Sequence, residues 1–126
     1  MSETNSWVGV DLDGTLARWD GYVSWDHIGE PIMPMVHRVT KYLAEGQEVR
    51  IFTARVDGGL AAIAAGNPEG EHFRDVDRMK RVIEAWCLKH IGIVLPITNV
   101  KDYSMIRLYD DECVQVEKNT GLVVGG

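Results

Sequence analysis

Residues 7–16, WVGVDLDGTL, pass from an apolar run into paired negative charge. The stretch SWVGVDL at 6–12 is short, rich in Val and Trp and without helical period, which predicts a strand buried on both faces. From Pro34 the period changes: Met35, Val36, Val39, Tyr42 and Leu43 recur at helical spacing and Gly46 follows as a stop. Pro at the start and Gly at the end predict a helix of about three turns. EVRIFTA at 48–54 is a second buried strand ending on polar side chains, Thr53 and then Arg55. A longer helix is expected from Asp75, as its N-cap, to Gly92, with Val76, Met79, Ile83, Trp86 and Cys87 on one face. Apolar runs at 93–98, 105–111 and 113–119 supply further strands. Between these elements, 17–33 carries two tryptophans, a tyrosine and glycine breaks, which predicts a hairpin or flap. The Gly- and Ala-rich stretch 56–72 reads as a mobile loop holding one short helix.

Short, doubly apolar strands alternating with helices imply an α/β fold, a parallel sheet covered by helices. No repeat or linker divides the chain, so residues 1–126 are expected to form one domain. No run approaches the ~18 apolar residues of a membrane span. The opening MSETNSW lacks the basic and apolar regions of a signal peptide, which makes a cytoplasmic location the expectation. Cys87 and Cys113 sit in apolar neighbourhoods and match no metal-ligand spacing, so both are expected as buried free thiols. The net charge of −6 opposes tight binding to a nucleic-acid backbone. It leaves room for a small phosphorylated substrate held by a few local cations.

Ligands of parallel sheets bind at the carboxyl ends of the strands. There this chain places Asp11 and Asp13 after the first strand, Thr53 after the second, and Asp110 and Asp111 after the fourth. Lys101 lies just before that fourth strand. Carboxylates gathered together raise one another's pKa, and a divalent cation removes the conflict. A hard oxygen set with an open position suits Mg²⁺. Metal, lysine and hydroxyl together would hold a phosphoryl group. One carboxylate is then free to attack phosphorus, and another to protonate the leaving oxygen and activate water.

DLDGTLA, FTAR, a lysine and YDD, in that order, resemble the four motifs of the haloacid dehalogenase (HAD) superfamily over residues 8 to 118. The resemblance implies a three-layer, Rossmann-like (HAD-like) α/β fold and a Mg²⁺-dependent phosphomonoester hydrolase working through an aspartyl-phosphate. It makes Asp11 the nucleophile and Asp13 the general acid/base, puts Thr53 on the phosphoryl oxygens and has Lys101 stabilise the charge. Asp110 and Asp111 would complete the Mg²⁺ site with Asp11 and the main-chain carbonyl of Asp13. An acid at Asp13 points to phosphate-ester hydrolysis rather than dehalogenation. Lys80 and Lys89 are rivals for the lysine role. With only a minimal flap between Leu16 and Pro34 and no large cap, the chain is similar to the capless subgroup. Open sites of that kind admit bulky substrates or rely on a neighbouring subunit.

The same motifs resemble the phosphatase domain of polynucleotide kinases, which makes a nucleic-acid 3′-phosphatase the nearest alternative. A non-catalytic Mg²⁺- or phosphate-binding protein is another. A calcium loop starting at Asp11 fails, because its sixth and twelfth positions hold Leu16 and Tyr22 instead of Gly and Glu. A receiver domain fails on motif order. Arg18 and Arg55 could bind substrate phosphate or form surface ion pairs. Trp19, Tyr22 and Trp25 could stack on a base or sugar, although pinning the hairpin is the favoured reading. His27, His37, His72 and His90 share no metal spacing, and only His72 is a candidate near substrate.

Overall fold

The strand that carries Asp11 lies inside a parallel sheet, with a neighbour on each side. A computed structural model describes residues 6–125. Its elements are β1 (Trp7–Asp11), α1 (Met33–Ala44), β2 (Glu48–Phe52), α2 (Leu60–Ala64), α3 (Val76–His90), β3 (Ile97–Thr98) and β4 (Met105–Tyr109). The four strands are all parallel, in the order β3-β2-β1-β4. Single 3-10 turns at Ala54–Val56 and Gly70–Arg74 flank α2.

Alternation along the strands sorts their side chains onto two faces. The register sets Val8 beside Val49 and Val10 beside Ile51 on one face. These four residues join Val36 and Val39 of α1 and Met79, Ile83 and Cys87 of α3 in one buried cluster. The helices follow their sequence signals closely. Pro34 sits in the first turn of α1, and Gly46 takes a positive φ of 83° as the chain leaves it. The Asp75 carboxylate accepts from the Arg78 N–H at 3.0 Å, capping α3, and the Gly92 N–H closes on the Cys87 carbonyl at 3.0 Å.

Connections β1-α1-β2 and β2-α3-β3 step in the same direction across the sheet. Right-handed crossovers then carry both long helices to one face, which is why α1 and α3 share a cluster. From β3 the chain returns to the far side of β1 through residues 99–104 alone, with no helix. A parallel crossover ordinarily takes about a dozen residues or more. Among the described residues, helices therefore cover one face, while this short segment crosses the other. There Trp7, fully buried but outside the cluster, lies under the Arg50 guanidinium and donates its indole N–H to Asp102 at 2.8 Å.

Other expectations are corrected. The run 93–98 yields only two strand residues, because Pro96 has no N–H to add to a ladder. The run 113–119 never joins the sheet. It leaves after Asp111 and forms an exposed hairpin in which Val116 bridges Val123. Among the described residues no element covers that hairpin, so Cys113 is exposed rather than buried. Cys87 is buried as expected, and burial pushes its thiol up to about 11. The 17–33 flap is present: Ala17 bridges Pro31, and the Arg18 N–H donates to the Glu30 carbonyl at 2.8 Å. Among the described residues, no helix is long and apolar enough to cross a membrane. Most of the MSETNSW stretch, residues 1–5, lies outside the described residues.

Candidate active site

The strand sequence reverses its direction of growth between β1 and β4, since β2 and β3 lie on one side of β1 and β4 on the other. Ligands of open α/β sheets bind in the crevice at such a switch point. Val10 pairs with Tyr109, so Asp11, the last residue of β1, and Asp110, the residue after β4, come side by side at the carboxyl ends of their strands. One carboxylate oxygen each from Asp11, Asp110 and Asp111 lies within 4.8 Å of the other two.

Local chain geometry holds this trio. Gly14 has φ +91°, a conformation side chains rarely adopt, and a Cβ there would lie 2.5 Å from an Asp111 oxygen. The positive φ favours glycine, and any side chain there would have to push the Asp111 carboxylate aside. Thr15, nearly buried, donates its hydroxyl to Asp111 Oδ1 at 3.1 Å, with Asp11 Oδ2 at 3.5 Å, and accepts the Asp111 N–H at 3.0 Å. The Asp11 carboxyl is pushed up to about 7, first by burial and then by the negative charge of Asp110, with further contributions from Asp111 and Asp13. The trio thus carries the electrostatic conflict that a bound cation relieves.

Asp13 is oriented differently. Both of its oxygens accept from Arg55, from Nε at 2.7 Å and from Nη2 at 2.8 Å. The same guanidinium donates to the carbonyls of Trp25 and His27, at 3.2 and 2.7 Å. Arg55 is therefore neither a surface ion pair nor, in this arrangement, a free phosphate ligand. It ties the second strand's end to Asp13 and to the flap. Arg18 does form an exposed ion pair, with Asp20 at 2.7 Å. Thr53 is buried, and its oxygen accepts the Arg55 N–H at 3.1 Å, which leaves its own O–H able to donate.

Asp11, Asp13, Thr53, Arg55 and Asp111 line one cleft of 370 Å³. Lys101 is not among its lining residues. It is exposed, in the 99–104 crossover, and lines a separate cavity beside β4 that Asp110 also lines. Lys80 and Lys89 lie on α3, half-buried and exposed respectively. His72 stacks on Trp25, with ring centroids 5.0 Å apart, and lines neither the cleft nor the flap cavity. Sequence reasoning gave no role to Thr15 or to Glu112. Thr15 is the threonine of the DGT turn, and its signal was its place two residues past Asp13. Glu112 lines the cleft and donates its N–H to Asp110 at 2.9 Å, which only the fold reveals.

No family model matches the chain, and comparison with curated proteins and with solved structures finds no match to either. The arrangement itself offers a carboxylate trio suited to a hard cation, a hydroxyl donor, and a fourth carboxylate held by a guanidinium.

Proposed function

We propose that this chain is a HAD-like, Mg²⁺-dependent phosphatase acting on a phosphomonoester. The observation that carries the reading is the convergence of Asp11, Asp110 and Asp111 at the switch point of the sheet. The donor set fits: three carboxylates within reach of one cation, all hard oxygen, with Asp11 raised by burial and then by the charge of its neighbours. Mg²⁺ would be held by Asp11, Asp110, Asp111 and the main-chain carbonyl of Asp13, and when bound would neutralise charge on the phosphoryl oxygens.

In this reading an Asp11 oxygen attacks phosphorus, the bond from phosphorus to the ester oxygen breaks, and an aspartyl-phosphate forms. Asp13, as a carboxylic acid, gives its proton to the departing alkoxide. It then takes a proton from water, whose oxygen attacks phosphorus and releases inorganic phosphate and the Asp11 carboxylate. Thr53 donates its hydroxyl to a phosphoryl oxygen. Asp13 has to release one Arg55 contact to face the leaving oxygen, since both its oxygens are engaged. Lys101 would have to reach the phosphate from the neighbouring cavity.

Phosphate release from an aryl phosphate, with Mg²⁺ and with EDTA, tests the reading. Turnover should require the metal, and Asp11→Asn should lower it by at least about a thousandfold, because the nucleophile is removed. An Asp11→Asn variant at wild-type rate would sink the mechanism.

A further inference from the structure

The cleft over Asp11 does not end at Asp13. A second cavity of 270 Å³ opens beneath the flap, and Asp13, Trp19 and Arg55 line both spaces. Asp11 lines only the first. In the proposed reaction the phosphoryl group sits against Asp11 and the leaving oxygen against Asp13. The alcohol part of the ester must then extend past Asp13, into the flap cavity.

Two aromatic rings line that cavity without being packed away. Trp19 is 48% exposed and Tyr22 46%, whereas Trp25, which does pin the flap to the body, is 8% exposed. Tyr22 is held from outside the flap, its hydroxyl donating to Glu69 at 2.5 Å. An aromatic that only anchors a hairpin is covered by its anchor, and these two are not. Glu30 adds an acceptor to the wall, beside Asp20, which is ion-paired with Arg18.

We infer that the flap cavity is the leaving-group subsite and that it takes the planar base of a nucleoside monophosphate, stacked on Trp19 and Tyr22. Every nucleobase offers a ring face to an aromatic side chain, and Glu30 in the wall offers an acceptor to an exocyclic amine. The net charge of −6 disfavours a longer polyanion and favours a single nucleotide over a strand end. The inference rests on the phosphatase reading above for the direction of the leaving group.

The test has two arms. In the first, kcat/KM is compared for adenosine monophosphate, a 3′-phosphorylated oligonucleotide and glycerol phosphate, which has no ring. The mononucleotide should be preferred, and Trp19→Ala should lower its advantage over glycerol phosphate by about tenfold, mainly through KM. Equal rates on the mononucleotide and glycerol phosphate, an equal loss on both in Trp19→Ala, or preference for the oligonucleotide would overturn the inference. In the second, adenosine monophosphate is titrated calorimetrically into Asp11→Asn with and without Trp19→Ala. Binding that depends on Trp19, with no ester hydrolysed by the wild type, supports the subsite while the phosphatase reading falls. Hydrolysis of glycerol phosphate without Trp19-dependent nucleotide binding removes the subsite and leaves the phosphatase reading standing.

Discussion

At the scale of the residue, Asp11 carries opposing demands. In the proposed mechanism Asp11 must be ionised to attack, yet burial and three neighbouring carboxylates push its carboxyl up to about 7 from an ordinary 3.8. Below pH 4 folded and unfolded chains both hold this proton, and the group contributes nothing. As pH rises to about 7 the unfolded chain has lost the proton while the folded chain still binds it, so stability falls. Above 7 the full penalty remains. In EDTA, the melting temperature should therefore decline from about pH 4 to pH 7, and Asp11→Asn should flatten that slope. Thermal melts at three or four pH values decide it, and an unchanged slope in the variant would place the cause elsewhere. Adding Mg²⁺ above pH 7 should recover stability by ligand linkage.

At the scale of the element, Arg55 gathers several of the flap's fastenings in one side chain. Arg55 joins Asp13 to the carbonyls of Trp25 and His27, while Trp86 donates its indole N–H to Gly29 at 2.9 Å. Lysine keeps the charge but lacks the planar fork that makes these contacts together. Arg55→Lys should cost roughly 1–3 kcal/mol, less than a fully buried pair because Asp13 retains some access to water. It should also speed amide hydrogen exchange in residues 25–28. Denaturant titration and exchange mass spectrometry check both, and unchanged exchange would show that the flap is fastened by other contacts. The two long helices and the first two strands were legible in the sequence because period, caps and stops agreed. The acidic residues at the ends of β1 and β4 were legible for a similar reason, since charge closing an apolar strand is a local signal. What bonds to Asp13 was not, because Arg55 lies 42 positions away and only the parallel pairing of β1 and β2 brings it near. Nor did the apolar run 113–119 reveal that it would leave the sheet, since strand-like sequence says nothing of whether a pairing edge is reached.

At the scale of the whole molecule, the trio is divided between the first strand and the last, about a hundred residues apart. Closing so long a loop is entropically costly and is repaid late, after local contacts form. The units β1-α1-β2 and β2-α3-β3 can build the apolar cluster before β4 docks. In stopped-flow refolding, helical circular dichroism should recover ahead of binding of Tb³⁺, a luminescent stand-in for the divalent ion. Simultaneous recovery of the two signals would exclude a late-docking β4. The six-residue return across the sheet then has a meaning for synthesis. A chain emerging from the ribosome completes both long helices while Asp11 still lacks Asp110 and Asp111. On the proposed reading, the complete carboxylate trio therefore arrives only with the last strand, and a chain cut short before Met105 would keep Asp11, Asp13 and Thr53 but lack the two carboxylates that close the trio.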